Sequence, residues 1–201
     1  MGNQKRTLHL NLFLSSLGHH EAAWRHPSSR VEDIIDFSHF QRLAQKAEQA
    51  KLDSLFLAAR YATSRKAVKY GAISGLEPLT LLSALAVVTS RIGLIATVST
   101  SFNEPFNLAR RFASLDHLSK GRAGWNIITS GTDGEAQNFN CERIPEHHLR
   151  YERAAEFLDV TLKLWDSWEA DALIQDKASG IYADNSKVHE FNHKGKHFAV
   201  R

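Results

Sequence analysis

Short apolar runs of strand length alternate along the chain with longer runs whose apolar residues recur every three or four positions. The first pattern predicts β-strands and the second predicts amphipathic helices. The predicted strands cover 8–16, 54–59, 91–100 and 123–128, and the predicted helices cover 36–53, 77–90, 104–122 and 148–168. Because strand and helix alternate in strict order, the pattern predicts right-handed crossovers and a parallel sheet of four β/α units.

Local signals mark the beginning of several elements. Asp36 is a predicted N-cap, and the Glu-Pro dipeptides at 77–78 and 104–105 each place a proline in the first turn of a helix. After about residue 170 the regular pattern gives way to a polar, turn-rich segment. That segment ends in a predicted short hairpin around Lys194 and Gly195.

Two parallel architectures fit four such units: an open doubly wound sheet and an eight-stranded barrel. A whole barrel needs roughly 250 residues, so a chain of 201 residues would supply about its first half. In both architectures ligands gather at the carboxyl ends of the strands. The loops that follow the four predicted strands are therefore the candidate ligand-binding segments.

The fourth predicted strand carries an amide, Asn126, among apolar residues, and it ends in a cluster of small hydroxyl residues and glycines at 129–134. An unpaired amide in a buried strand costs about 1–3 kcal/mol. We therefore expect a ligand or a loop backbone to satisfy Asn126. Thr97 and Thr129 have two interpretations, because threonine can serve a site or can simply be a β-branched strand residue.

The composition, 43% hydrophobic and 23% charged, is typical of a globular domain, and we expect one domain over 1–201. The net charge of +3 comes from 25 basic and 22 acidic residues spread along the chain, which gives no footprint for nucleic acid. No apolar run has the length of a membrane span. The one cysteine, Cys141, cannot form an internal disulfide, which favours a cytoplasmic location.

Two groups of histidines raise the question of a metal site. The segment 19–27 contains three histidines without a neighbouring cluster of Cys, Asp or Glu. His189, His193 and His197 lie four residues apart, but the glycine and polar residues around them predict a turn. We therefore expect no bound metal. The segment 131–139, GTDGEAQNF, matches neither the dinucleotide-binding nor the phosphate-loop spacing.

Several segments together resemble one protein family. They are GHHEAAWRHP, LDSLFLAA, LEPLTLLSALA, GRAGWNIITS, EAQNF and RYERAAEFL. In this combination the chain resembles the nitrilotriacetate monooxygenase component A and dibenzothiophene-sulfone monooxygenase group of the bacterial luciferase-like flavin-dependent monooxygenases. The similarity extends over essentially the whole chain.

This resemblance implies a luciferase-like TIM (β/α)8 barrel, of which residues 1–201 would be the N-terminal portion. It implies that reduced FMN (FMNH2), supplied by a separate NAD(P)H:flavin reductase, binds at the carboxyl-end mouth and reacts with O2. The C4a-(hydro)peroxyflavin formed there would insert one oxygen atom into a small organic substrate. The flavin would carry the chemistry, while the protein binds it, orients it and keeps the site dry.

The resemblance also implies roles for individual residues. The positions that match flavin-binding residues of the group are Thr97, Asn126, Ser130, His147 and Tyr151. In the first loop, His20 and Trp24 match the substrate side of the site. His20 and Asn126 are the expected catalytic residues.

The chain departs from the family pattern in two respects. Members of the group have an aspartate just after the second strand, where this chain has Ala59. Relatives also continue well past the position of Arg201, and a half barrel would leave the edges of its first and fourth strands unpaired. We therefore expect a homodimer or a larger assembly. The alternative expectation is a truncated, non-catalytic remnant with weak or no flavin binding.

Overall fold

A four-stranded parallel sheet forms the centre of the computed structural model, which describes residues 7–15, 17–71 and 75–201. The strands lie in the order β1-β2-β3-β4, and each pairs in parallel with the next. Their bounds are Asn11–Phe13 for β1, Ser54–Leu57 for β2, Gly93–Ser99 for β3 and Ala123–Ile128 for β4. The prediction of four β/α units with a parallel sheet is confirmed.

Six α-helices are present in the described ranges. They are α1 at Phe37–Gln49, α2 at Arg65–Tyr70, α3 at Pro78–Ala86, α4 at Pro105–Ser119, α5 at Asp133–Gln137 and α6 at His147–Trp165. The predicted cap of α1 is confirmed, since the Asp36 carboxylate accepts a 2.9 Å hydrogen bond from the backbone N–H of Ser38. None of these helices combines the length and the apolar character that crossing a membrane would require.

Two short antiparallel hairpins follow the sheet. The first joins β5 (Leu173–Asp176) to β6 (Ile181–Ala183), and the second joins β7 (His193–Lys194) to β8 (Ala199–Val200). The hairpin that the sequence predicts around Lys194 and Gly195 is therefore confirmed.

Most predicted elements are longer than the observed ones, except β4, which has its predicted bounds. The strand predicted over 8–16 pairs with β2 only through Asn11–Phe13. Leu8 and Leu10 are exposed although they continue the alternation, and residue 16 lies outside the described residues. Helices α2 and α5 were not predicted, because both lie in the loops that follow strands.

One face of the sheet packs against the helices and forms the core. On β3, Leu94, Ala96 and Val98 are buried together with helix residues such as Leu82 and Phe112. Side chains alternate along a strand, so the residues between them point to the opposite face. That opposite face carries Ile95, Thr97 and Ser99 on β3.

Arg122 anchors the start of β4 to the start of β3. Its guanidinium donates to the carbonyl oxygen of Ile92 at 2.8 Å and to both the hydroxyl and the carbonyl of Thr89 at 3.0 and 3.1 Å. It also donates to the carbonyl of Ala86 at 2.9 Å, at the end of α3, and to the carbonyl of Ser119 at 2.6 Å. One side chain therefore holds the last turn of α3 and the beginnings of two strands in a fixed relation.

Glu48 reinforces the same end of the sheet. Its carboxylate oxygen accepts three backbone N–H groups, those of Ser90, Arg91 and Ile92, at 2.9, 2.6 and 3.0 Å. Burial acts to raise the pKa of Glu48, but the three hydrogen bonds favour the charged form and the net pKa lies below its ordinary value. The turn between α3 and β3 is thus held by both the Glu48 carboxylate and the Arg122 guanidinium.

The C-terminal hairpin is held to α6 by Glu156. The carboxylate is within 3.0 Å of Nε2 of His193 and accepts backbone N–H groups of His197 and Phe198 at 3.0 and 2.9 Å. The bond to His193 is the largest cause that lowers the pKa of Glu156, to about 2. The Phe198 ring lies under the guanidinium of Arg153 at 4.3 Å, which adds a second attachment.

Arg122→Ala should lower the free energy of unfolding by about 2–4 kcal/mol, because several buried or half-buried acceptors lose a charged donor. Urea denaturation followed by circular dichroism measures the loss. Arg111→Ala, on the exposed side of α4, is the control and should change stability by less than about 0.5 kcal/mol. Equal losses in the two variants would contradict the anchoring role of Arg122.

Glu156→Gln should destabilise the protein at neutral pH, and its deficit should shrink on acidification. The folded pKa of Glu156, about 2, lies below the ordinary value of 4.5, so its stabilisation is complete above pH 4.5 and is lost as the pH falls towards 2. Unfolding free energies of both proteins, compared from pH 6 down to pH 3, test this. The exposed Glu142→Gln is the control, and a Glu156→Gln deficit that stays constant over this pH range would contradict the expectation.

Candidate active site

The sheet face that points away from the helices carries an apolar row and then a polar row. The strand register places Phe13, Phe56 and Ile95 side by side, and the rings of Phe13 and Phe56 lie 5.4 Å apart. Two residues further towards the carboxyl ends, Thr97 lies beside Asn126. This arrangement suits a flat ring system that has an apolar face and a polar edge.

Thr97 and Asn126 form a cross-strand pair. The amide nitrogen of Asn126 donates to the hydroxyl of Thr97 at 3.0 Å. The expectation that a ligand or a loop backbone satisfies this amide is therefore corrected, because the neighbouring strand supplies the acceptor and Asn126 is only half-buried. The amide carbonyl oxygen takes no part in this bond and has no partner among the described residues, so it can accept a hydrogen bond from a ligand.

A second polar pair lies at the very end of the same strands. Ser130 follows β4 and donates its hydroxyl to the Ser99 hydroxyl oxygen at 2.8 Å. Ser130 has a φ of 58°, in the left-handed region that a non-glycine residue rarely adopts. Such backbone strain is concentrated at functional sites, and here it directs the Ser130 side chain back across the sheet edge towards β3.

The loops after β2, β3 and β4 meet over this edge. The Tyr61 hydroxyl accepts the backbone N–H of Ser99 at 3.2 Å, and the side chain of Asn138 donates to the carbonyl of Tyr61 at 2.7 Å. The rings of Phe102 and Phe139 stack at 4.7 Å and are almost parallel. We call Tyr61, Phe102 and Phe139 the aromatic rim. Sequence reasoning did not assign these residues, although EAQNF was one of the segments that carried the resemblance.

His147 and Tyr151 form a separate group at the start of α6. Their rings lie 4.6 Å apart and both side chains are exposed. The helix is tied to the end of β3 through Asn103, whose side chain donates to the carbonyl of Ser99 at 2.8 Å and whose carbonyl accepts from Arg153 at 3.2 Å. The structure thus brings Thr97 and Asn126 together and brings His147 and Tyr151 together, but it shows no direct contact between the two pairs.

The first loop also lies at the carboxyl ends of the strands. The indole N–H of Trp24 donates to the carbonyl of Tyr70 at 2.8 Å, which ties this loop to the last residue of α2. His20 accepts the backbone N–H of Ala22 through Nδ1 at 3.1 Å. A cleft of about 290 Å³ lies between the first loop, the end of β2 and α2, and His20 is one of its lining residues.

Ala59 lies in the loop directly after β2 and is half-buried. Its neighbours on either side, Ala58 and Arg60, both line the cleft. An alanine side chain cannot accept a hydrogen bond, so this strand end contributes no side-chain acceptor at that position.

Comparison with known proteins identifies the family. The family model described as luciferase-like monooxygenase matches residues 12–201. The chain is 51% identical to N-acetyl-S-(2-succino)cysteine monooxygenase of Bacillus subtilis (strain 168). The alignment covers 100% of this chain and 45% of that protein. It is 43% identical to nitrilotriacetate monooxygenase component A of Aminobacter aminovorans, with 100% of the chain and 47% of that protein covered.

Solved structures give the same assignment. Long-chain alkane monooxygenase has a TM-score of 0.91 at 40% identity, with 98% of this chain and 48% of that chain covered. Riboflavin lyase, solved with modified FMN and riboflavin, has a TM-score of 0.88 at 36% identity, with 97% and 46% covered. The predicted luciferase-like barrel fold, represented by four β/α units, is confirmed.

The chain spans about half the length of the curated relatives it matches. The match to the family model nevertheless covers almost every residue, and the resemblance stated from the sequence motifs is confirmed. The chain belongs to the luciferase-like monooxygenase family, whose members are flavin-dependent oxidoreductases that act with O2.

Proposed function

We propose that the chain carries the flavin-binding part of an FMNH2-dependent monooxygenase that receives its reduced flavin from a separate reductase. The observation that carries the proposal is the Thr97–Asn126 pair beside an apolar row at the carboxyl ends of the strands. The name of one relative, component A, supports a two-component system. The substrate is proposed to be a small organic molecule.

The residues present suit an isoalloxazine ring. Phe13 and Phe56 offer an apolar surface for its flat face. The carbonyl oxygen of Asn126 can accept an N–H from the polar edge of the ring, and the Thr97 hydroxyl, which already accepts from Asn126, can donate its own hydrogen. Ser130 would contact the same edge, while His147 and Tyr151 at the start of α6 would contact the remainder of the FMN molecule.

When bound, the reduced flavin would supply the electrons that activate O2 for transfer of one oxygen atom to the substrate. The chain's own residues would position the ring and shield it. The stacked pair of Phe102 and Phe139 would exclude water from one side of the mouth, because these rings join the loops after β3 and β4. Asn126 would fix the orientation of the ring through its amide.

His20 would act on the substrate side. Its Nδ1 atom accepts a backbone N–H, so in the neutral ring the proton resides on Nε2. This tautomer makes Nε2 a proton donor in the cleft. Trp24, held by its bond to the carbonyl of Tyr70, would form the outer wall.

The second candidate is a non-catalytic protein that binds flavin weakly or not at all. Ala59 favours this alternative, because an aspartate at this position in the family would contribute an acceptor to the flavin site. FMN titration separates the two candidates, since the second predicts no measurable binding.

Thr97→Val and Asn126→Ala should each weaken FMN binding about fivefold to tenfold, which corresponds to the loss of roughly one hydrogen bond. Quenching of flavin fluorescence measures the dissociation constant. Asn107→Ala, on the exposed side of α4, is the control and should leave it unchanged. Absence of quenching with the unmodified chain, or equal weakening by the control, would argue against the proposed site.

Ala59→Asp should tighten FMN binding by roughly fivefold, because a carboxylate adds a charge-assisted acceptor at the end of β2. The same fluorescence titration measures the change. Ala170→Asp adds the same charge beyond the C-terminal end of α6 and should have no effect. An unchanged dissociation constant for Ala59→Asp would remove this position from the flavin site.

A further inference from the structure

The cleft beside the first loop has an apolar floor and a basic rim. Leu14, Phe40 and Leu81 form part of the floor and belong to the buried core. Arg60 and Lys66 line the rim. A volume of about 290 Å³ is that of roughly ten water molecules in the liquid. The cleft therefore suits a small molecule that combines an apolar portion with a charged end.

Positive charge exceeds negative charge around this cleft. Arg60 and Lys66 line it, and Arg25 and Lys69 line the shallow pocket beside it. Among the residues that the structure describes, Glu21 is the one carboxylate that lines either space. Within the described ranges, none of the four cations forms an ion pair. Unpaired cations along a concave wall attract an anionic ligand.

Neutral hydrogen-bond donors at the cleft add to its preference for an anionic ligand. His20 presents its Nε2–H when Nδ1 accepts the backbone N–H of Ala22. The His19 ring packs edge-to-face on Phe13 at 5.5 Å, which fixes it at the wall. A carboxylate accepts hydrogen bonds through both oxygens, so it can use a guanidinium, an ammonium and an imidazole N–H together.

The cleft lies next to the sheet face that carries Phe13, Phe56, Thr97 and Asn126, which we call the flavin face. Ala58 lines the cleft and directly follows β2. Leu57, the last residue of β2, pairs with Ala96, so Ala58 lies just beyond the end of the strand that neighbours the one carrying Thr97. A ligand in the cleft would therefore extend towards the row that contains Thr97 and Asn126.

We infer that this cleft binds a carboxylate group of the substrate, so that the enzyme oxygenates a small organic acid, with Arg60 and Lys66 as the residues that determine this specificity. The inference rests on the proposed function and adds a substrate class to it. The anion sits among cations at the rim, while the apolar part of the substrate lies over the floor and points towards the flavin face.

The probe for this test is butanoate, which has one carboxylate and an apolar chain, with its neutral methyl ester as the matched compound. Titration calorimetry at low ionic strength should detect binding of butanoate to the full chain. Arg60→Ala and Lys66→Ala should each weaken it at least about fivefold. Arg65 is adjacent to Lys66 on α2 but does not line the cleft. The dissociation constant of Arg65→Ala should therefore stay within about twofold of that of the unmodified chain.

The inference is overturned if butanoate does not bind, if the methyl ester binds equally well, or if Arg65→Ala weakens binding as much as the two cleft variants. It is also overturned if Arg60→Ala and Lys66→Ala weaken the binding of FMN but not of riboflavin, because the cleft would then hold the flavin phosphate. FMN titration of the same variants keeps the proposed function separate. Normal FMN binding together with failed butanoate binding rejects only the substrate class.

Discussion

The alignment of β4 against β3 is the constraint on which the candidate site depends. Arg122, one residue before β4, fixes this alignment by donating to the carbonyl of Ile92, one residue before β3. The register set at that end places Thr97 beside Asn126 near the other end. A slip of one residue would turn Asn126 towards the helices and bring Trp125 to the open face. The structural anchor and the proposed ligand contacts therefore lie at opposite ends of the same pair of strands.

Local patterns determined which elements form, while pairing determined how long they are. The bounds of β4 and the Asp36 cap were predicted correctly, because an apolar run of strand length and a capping side chain are local properties. The strand predicted over 8–16 shortened to Asn11–Phe13, since alternation continues through Leu8 and Leu10 whether or not a neighbouring strand is present. Sequence periodicity shows which residues of a segment share a face. It does not show how many of those residues pair with a neighbouring strand.

The candidate site shows the same division between local properties, which the sequence reveals, and contacts between distant segments, which it does not. Asn126 could be selected from the sequence because an amide among apolar strand residues needs a partner, but the partner, Thr97, lies 29 residues away and follows only from the register. The aromatic rim was missed for a similar reason, since Tyr61 and the segment at Asn138 are 77 residues apart. His193 was correctly placed in a turn-rich segment, yet nothing in its spacing indicated Glu156 as its partner.

Charge is distributed unevenly across the carboxyl-end edge of the sheet. The flavin face, as proposed, is built from neutral groups such as Thr97, Asn126 and Ser130, whereas the cleft beside it contains Arg60 and Lys66. Fixed charge near a flavin ring alters its electronic properties, so neutral hydrogen-bonding groups orient the ring without that effect. Ala59 is consistent with this separation, because it leaves the end of β2 without a carboxylate that would partly neutralise the neighbouring cations. An alanine at this position would thereby strengthen the attraction of the cleft for an anion.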